Sequence, residues 1–222
     1  MKYYKIDRIV IDMTYHKGIS NANGEFVPNG EEYFNRIGNG EIIQNASVFD
    51  YFHLQSFGDK EDWEWHLQDI HGGGWVYPRG ADWYISDKCK KLLEQFFIAP
   101  KYHFYETRLL YKGEKLVYWI FQFPIEPFQN IDFQKSDFIL KDDNNIYHFD
   151  SEEEYLTFYR REHRETKRKL LCTKLCIKQR YDILYSPRNE KIVSERLKTA
   201  IEENGIEGFE FLEIEYEVVI ND

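Results

Sequence analysis

The chain has 222 residues, 39 acidic against 29 basic, and a formal net charge of −10. That balance argues against nucleic acid as a partner, since phosphate binding needs a basic surface. No apolar run approaches the ~20 residues that span a bilayer, so no membrane partner is expected either.

Aromatic residues make up 18% of the chain, which leans the fold towards half-buried sheet. Residues 1–8 lack the layout of a signal peptide. Three cysteines (Cys89, Cys172, Cys176) are few and odd in number, and read as reduced core thiols of a cytoplasmic protein.

In chain order, Tyr3 to Tyr15 reads as an opening strand. Residues 16–41 turn polar and are punctuated by glycine, so they read as irregular. A short element is expected within Asn45 to Leu54. Gln55 to Asp82 is irregular again, with Trp63, Trp65 and Trp75 among glycines and Trp83 just beyond; such aromatics either lid the core or offer a contact surface.

Ser86 caps a helix carrying Cys89, Leu92, Leu93, Phe96 and Phe97 at helical spacing. Tyr102 to Tyr111 and Lys115 to Phe123 form a hairpin around Lys112-Gly113-Glu114. A second hairpin spans 137–140 and 145–149, turning at Asp142-Asp143-Asn144. Ser151 with Glu154 is a capping box, so a second helix starts at Glu152. Leu170 to Ile177 and Tyr181 to Tyr185 are extended. Ser194 caps a third helix with Leu197, Ala200 and Ile201 inward, stopped by Asn204-Gly205.

Phe209 to Ile220 reads as one strand whose apolar face switches parity between Phe211 and Leu212, as a β-bulge would produce. Residues 201–222 hold eight acids and no base. Glu213, Glu215 and Glu217 fall on one face of that strand, suited to steering a basic partner.

The segment from Ile85-Ser86 to Gln95 aligns with Val193-Ser194 to Glu203, and an aromatic strand follows each. The fold expected is therefore α+β, mostly antiparallel sheet with about three helices and an internal duplication of a helix-strand unit. Residues 1–82 are an N-terminal strand and an irregular aromatic-rich region; residues 83–222 hold the two related units. Together they make one compact domain, or two half-related lobes meeting near residue 130.

Residues from Trp83 onward also resemble a known family. The strand pair through Tyr118 and Phe121, Ile131-Asp132-Phe133-Gln134-Lys135-Ser136, Asp182-Ile183-Leu184 and above all Val193-Ser194-Glu195-Arg196-Leu197-Lys198 through Gly208-Phe209-Glu210-Phe211 carry the likeness. The family is the immunity proteins of bacterial polymorphic-toxin systems, in the group named after a Myxococcus immunity protein. It implies a cytoplasmic protein, not an enzyme and needing no cofactor, that binds a cognate toxin and neutralises it by occlusion. The toxin-contact candidates are Glu213, Glu215, Glu217, Trp63 and Trp65.

Enzyme-like strings are weaker. His71-Gly72-Gly73-Gly74 looks like an oxyanion-hole segment, but no Gly-x-Ser-x-Gly elbow accompanies it. His66 and His71 with Asp62, Glu64 and Asp69 lack paired metal-ligand spacing. Cys172 and Cys176 lack a second ligand pair for zinc. A hydrolase or metal-dependent enzyme with its site between Trp63 and Trp75 is the alternative. The basic run from Arg160 to Lys169 is interrupted by Glu162 and Glu165, which read as ion-pair partners along the helix.

Overall fold

The computed structural model describes residues 2–9, 11–12, 17–18, 20–55, 65–123, 126–143 and 145–221. It is an α+β protein with mainly antiparallel sheets and, among the described residues, four helices. Strands β1 (Tyr3–Arg8), β2 (Ile11–Asp12), β3 (Lys17–Gly18) and β4 (Ala22–Asn23) precede helix α1 (Gly30–Gly38). Strands β5 (Phe49–Leu54), β6 (Ile70–His71) and β7 (Ala81–Ser86) lead into α2 (Asp87–Leu93). Hairpin strands β8 (His103–Tyr111) and β9 (Glu114–Gln122) follow, then β10 (Asp137–Leu140), β11 (Ile146–Tyr147) and α3 (Glu152–Glu165). Strands β12 (Leu170–Ile177), β13 (Ile183–Tyr185) and β14 (Lys191–Ser194) precede α4 (Glu195–Glu203), and β15 (Phe209–Glu213) and β16 (Glu217–Ile220) close the order.

The chain divides into two compact units. The larger comprises Asp7–Ile125 and Thr199–Glu210; the smaller comprises Met1–Ile6, Glu126–Lys198 and Phe211–Asp222. The division runs through β1, α4 and β15.

The larger unit is built on a six-stranded sheet in the order β4-β5-β8-β9-β7-β6. The β8–β9 turn is made by Lys112 and Gly113, both at positive φ (51° and 83°), which matches the twist of a tight hairpin. Helix α1 falls in the segment expected to be irregular. Its glycines, Gly30 and Gly38, stand at its ends, and Phe34 and Ile37 bury one turn apart against Phe49 and Phe52. Helix α2 stops at Leu93, sooner than its apolar spacing suggested. Phe97 is exposed, and Ile98 and Ala99 take the buried positions.

Three tyrosines of this core have paired hydroxyls. Tyr118 donates to the Gln68 carbonyl at 2.7 Å, Tyr105 to Gln122 Oε1 at 2.9 Å, and Thr107 Oγ1 donates to Tyr84 Oη at 2.7 Å. This matters because a buried hydroxyl without a partner would cost roughly 1–3 kcal/mol.

In the smaller unit one sheet runs β13-β14-β1-β15 and another runs β11-β10-β12-β16, with β12 and β16 parallel. Tyr155 of α3 packs among Phe133, Phe138 and Phe149 at ring separations of 5.0–5.5 Å. Ser151 Oγ accepts from Glu154 N–H at 3.2 Å, and the Glu154 carboxylate accepts from Asp150 N–H at 2.7 Å. The box thus closes one residue earlier than the reciprocal bond to Ser151 itself.

The expected repeat is present and extends further than the helix. In each unit a short hairpin, β6–β7 or β13–β14, runs straight into a helix, α2 or α4. Ile70 pairs with Ile85, and Ile183 with Val193. Asp69 therefore faces Ser86, and Asp182 faces Ser194. Ser86 N–H donates to the Asp69 carbonyl at 2.8 Å, and Ser194 N–H to the Asp182 carbonyl at 2.9 Å. Each serine hydroxyl also donates to that aspartate's carboxylate while accepting a helix amide, Cys89 N–H at 3.1 Å or Leu197 N–H at 3.2 Å. A base two residues after the serine completes the set: Lys88 to Asp69 at 3.8 Å, Arg196 to Asp182 through Nε and Nη2. Strand order repeats too, β6-β7-β9-β8 against β13-β14-β1-β15. The third strand differs in origin, since β9 follows β8 in a hairpin whereas β1 comes from the other end of the sequence, and β8 is followed by β5 where β15 ends its sheet.

The last segment departs from the expected single strand. β15 belongs to one sheet of the smaller unit and β16 to the other, with Ile214–Tyr216 carrying the chain across. The parity change marks a strand that ends and a new one that begins, where a bulge was expected.

Candidate functional site

Three exposed aromatics of the larger unit, Phe26, Tyr51 and Trp75, line one depression. In β5 both Phe49 and Phe52 are buried, three residues apart, which a regular two-residue alternation forbids. The register against β8 shifts between them, and Tyr51 adopts φ 67° with its N–H on Asp50 Oδ1 at 2.8 Å. A bulky residue at positive φ is strained, and here the strain turns the Tyr51 ring outwards to 46% exposure. Lys115 pairs with Asp50 at 2.6 Å and places its Nζ 4.2 Å from the Tyr51 ring centroid.

Phe26, 65% exposed, packs on His53 with ring centroids 5.1 Å apart. His53 Nε2 lies 3.3 Å from Glu25 Oε1. Trp75 is 86% exposed, yet its backbone neighbours are fixed on both sides. Gly74 N–H donates to the Ala22 carbonyl at 2.7 Å, Val76 N–H to Asn23 Oδ1 at 3.1 Å, and the Val76 carbonyl accepts from Gly24 N–H at 2.8 Å. Two depressions meet at Glu25 and Trp75. One, of about 650 Å³, runs past Glu31, Phe34 and Arg79; the other, of about 380 Å³, is lined by Phe26, Tyr51, Phe52 and His53.

The contact residues expected from sequence are placed differently. Trp63 lies outside the described residues. Trp65 is buried at 9% exposure within the core cluster, and its carbonyl accepts the Tyr111 hydroxyl at 2.8 Å, so it is no surface anchor. Glu213, Glu215 and Glu217 do not share one strand face: Glu213 ends β15, Glu215 lies in the crossing and Glu217 starts β16. Glu213 pairs with Lys2 at 2.8 Å and Glu215 with Arg188 at 3.4 Å. Glu213 and Glu217 do line one depression of about 360 Å³ with Lys2. Lys2 holds the Glu213 carboxyl below its ordinary range through their hydrogen bond.

Sequence spacing does not single out Trp75, because exposure is not a local property. Its neighbours hinted at it: three glycines before it and Pro78 and Gly80 after it leave no periodic apolar face for the ring to join.

The enzyme-like residues serve the fold. His71 is fully buried; its Nδ1–H donates to the Ser20 carbonyl at 2.9 Å and its Nε2 accepts Gln68 N–H at 3.2 Å. Burial pushes its pKa down to about 4, so the ring is neutral with both nitrogens engaged. The following glycines seat the backbone of β4: Ala22 bridges Gly73, and a Cβ at Gly73 would fall 2.3 Å from the Tyr77 ring.

Among the described residues no three His, Cys, Asp or Glu side chains gather as a metal cluster; Asp62 and Glu64 lie outside those residues. All three cysteines are free and buried, and burial raises each thiol, Cys172 to about 12. Several bases in and just after α3 are matched by acids. Arg161 and Arg164 pair with the adjacent Glu162 and Glu165, and Arg168 returns to Glu162 at 3.2 Å. No described helix is long and apolar enough to cross a membrane.

Neither a protein-family model nor a curated protein matches the chain.

Proposed function

We propose that this chain is an immunity protein that binds a cognate protein toxin and neutralises it by occlusion, acting in the cytoplasm without catalysis. Trp75 carries the reading. A tryptophan 86% exposed on a backbone pinned at both sides is an anchor held ready for a partner. Phe26 and Tyr51 beside it widen the apolar area, and Tyr51 is exposed only because a bulge strains it outwards.

The net charge of −10 favours a basic partner and speeds encounter with one. With Glu213 and Glu215 already paired to bases, the weight of binding moves from the acidic C-terminal segment to the Trp75 face. The engagement of both His71 nitrogens in the fold favours occlusion over the hydrolase alternative. Co-expression with the product of the neighbouring gene tests the proposal. A co-purifying complex and restored growth, both lost in Trp75→Ala, are expected; no complex and no rescue would overturn it.

A further inference from the structure

Every wall of the 380 Å³ depression has a chemical character, and together they describe a ligand. Its volume is near the lower end of the ~300–1,000 Å³ typical of ligand pockets, enough for a side chain rather than a large cofactor. Phe26, Tyr51 and Trp75 line it with exposed ring surface over the buried Phe52, and the one carboxylate on its wall is Glu25. His53 Nε2 lies 3.3 Å from one oxygen of that carboxylate and its ring packs on Phe26 at a tilt of 33°, so one side chain touches both the acid and an aromatic wall.

Aromatic faces attract cations and a carboxylate repels anions, so an anionic group is disfavoured here. A neutral apolar side chain would cover Glu25 without offering it a charge, at a desolvation cost. The molecule already shows that one of these rings accepts a cation, because Lys115 stands 4.2 Å from the Tyr51 centroid, outside the lining of the depression.

We propose that this depression is a receptor for an arginine side chain presented by a basic protein partner, its guanidinium stacked on Trp75 and hydrogen-bonded to Glu25. A guanidinium is favoured over an ammonium because it is planar, weakly hydrated and able to stack and hydrogen-bond at once. The strained Tyr51 and the pinned Trp75 keep the walls open before the ligand arrives, which reduces the ordering cost of binding. The inference rests on the reading of this face as a partner surface and names the residue type that enters it.

The test is an NMR titration of the full chain with the peptide acetyl-Gly-Arg-Gly-amide and its citrulline and lysine counterparts, following the Trp75 indole N–H. Saturable binding of the arginine peptide, at least tenfold tighter than the citrulline peptide, is expected. Trp75→Ala, followed through the backbone amides of Phe26 and His53, should abolish it, and Glu25→Gln should bring arginine and citrulline level. Both side chains are exposed, so the variants keep the fold. Equal binding of arginine and citrulline in the unaltered chain, unchanged binding by Glu25→Gln, or tighter binding of lysine would each overturn the proposal. The titration contains no partner protein. A negative result beside an intact Trp75-dependent complex therefore overturns the arginine receptor alone, and loss of the complex with a positive titration overturns the toxin reading alone.

Discussion

Ser194 donates its hydroxyl hydrogen to Asp182 Oδ1 at 2.7 Å while the same oxygen accepts Leu197 N–H at 3.2 Å, and Asp182 is fully buried. One hydroxyl thus starts α4 and solvates a carboxylate that water does not reach.

That double duty inverts a common substitution rule. Asp and Ser are usually equivalent at a helix N-cap, but an ionised Asp accepts only. At position 194 it would set two carboxylates against each other. Ser194→Ala should destabilise by about 2–3 kcal/mol, adding a lost cap to a lost donor, and Ser194→Asp should destabilise by more. Ser86→Ala should cost less, about 1–2 kcal/mol, because the Asp69 side chain is 16% exposed and water can replace the lost donor, whereas Asp182 is at 0%. Urea unfolding of the three variants measures the order.

His71 makes stability depend on pH in a definite direction. Its pKa is about 4 folded and ~6.5 unfolded, so between these values the unfolded chain binds more protons. Stability is then fully present above pH ~6.5 and falls as pH drops towards 4, by on the order of 3 kcal/mol in total. Denaturation midpoints measured across that window should show the slope, and His71→Gln should flatten it.

Two tryptophans ten residues apart should behave oppositely. Trp65→Ala removes a core ring and should cost about 3–5 kcal/mol, whereas Trp75→Ala should shift stability by less than about 0.5 kcal/mol while removing partner binding. Thermal denaturation beside a pull-down of the partner separates the two effects.

The cysteines offer a chemical check on packing. Cys89, Cys172 and Cys176 are buried with their thiols raised, and the reactive species is the thiolate. Ellman's reagent at neutral pH should label none of them in the native chain and all three in denaturant. Fast labelling of any one under native conditions would contradict its placement.

Features set by neighbouring residues were readable from the sequence. Lys112-Gly113 gave the hairpin turn, Ser86, Ser151 and Ser194 gave three helix starts, and Leu170 to Ile177 gave β12 to the residue. Helix α1 was hidden because its end glycines looked like loop punctuation, and only packing of Phe34 and Ile37 on β5 shows otherwise. The C-terminal alternation carries a parity change, yet one strand with a bulge and two strands in different sheets produce the same local pattern. The proposed contact surface was the least legible. Whether Trp65 or Trp75 is buried depends on the sheet beneath each, which no local spacing encodes. The aspartate partners of the capping serines were equally out of sight, since Asp69 and Asp182 meet them only through hairpin register.

The place of β1 in its sheet has a consequence for biosynthesis. Of the described strands it is made first, yet Tyr3 pairs with Ser194, and β1 occupies an inner position between β14 and β15. At ribosomal speeds of ~5–20 residues per second, the delay before β14 emerges is roughly 10–40 seconds. Throughout that interval an apolar strand carrying Tyr3 and Ile6 has both edges bare, a template for misassociation on crowded polysomes. The smaller unit therefore completes its folding late in translation, and yield in cells should depend on how well the nascent chain is shielded during the wait.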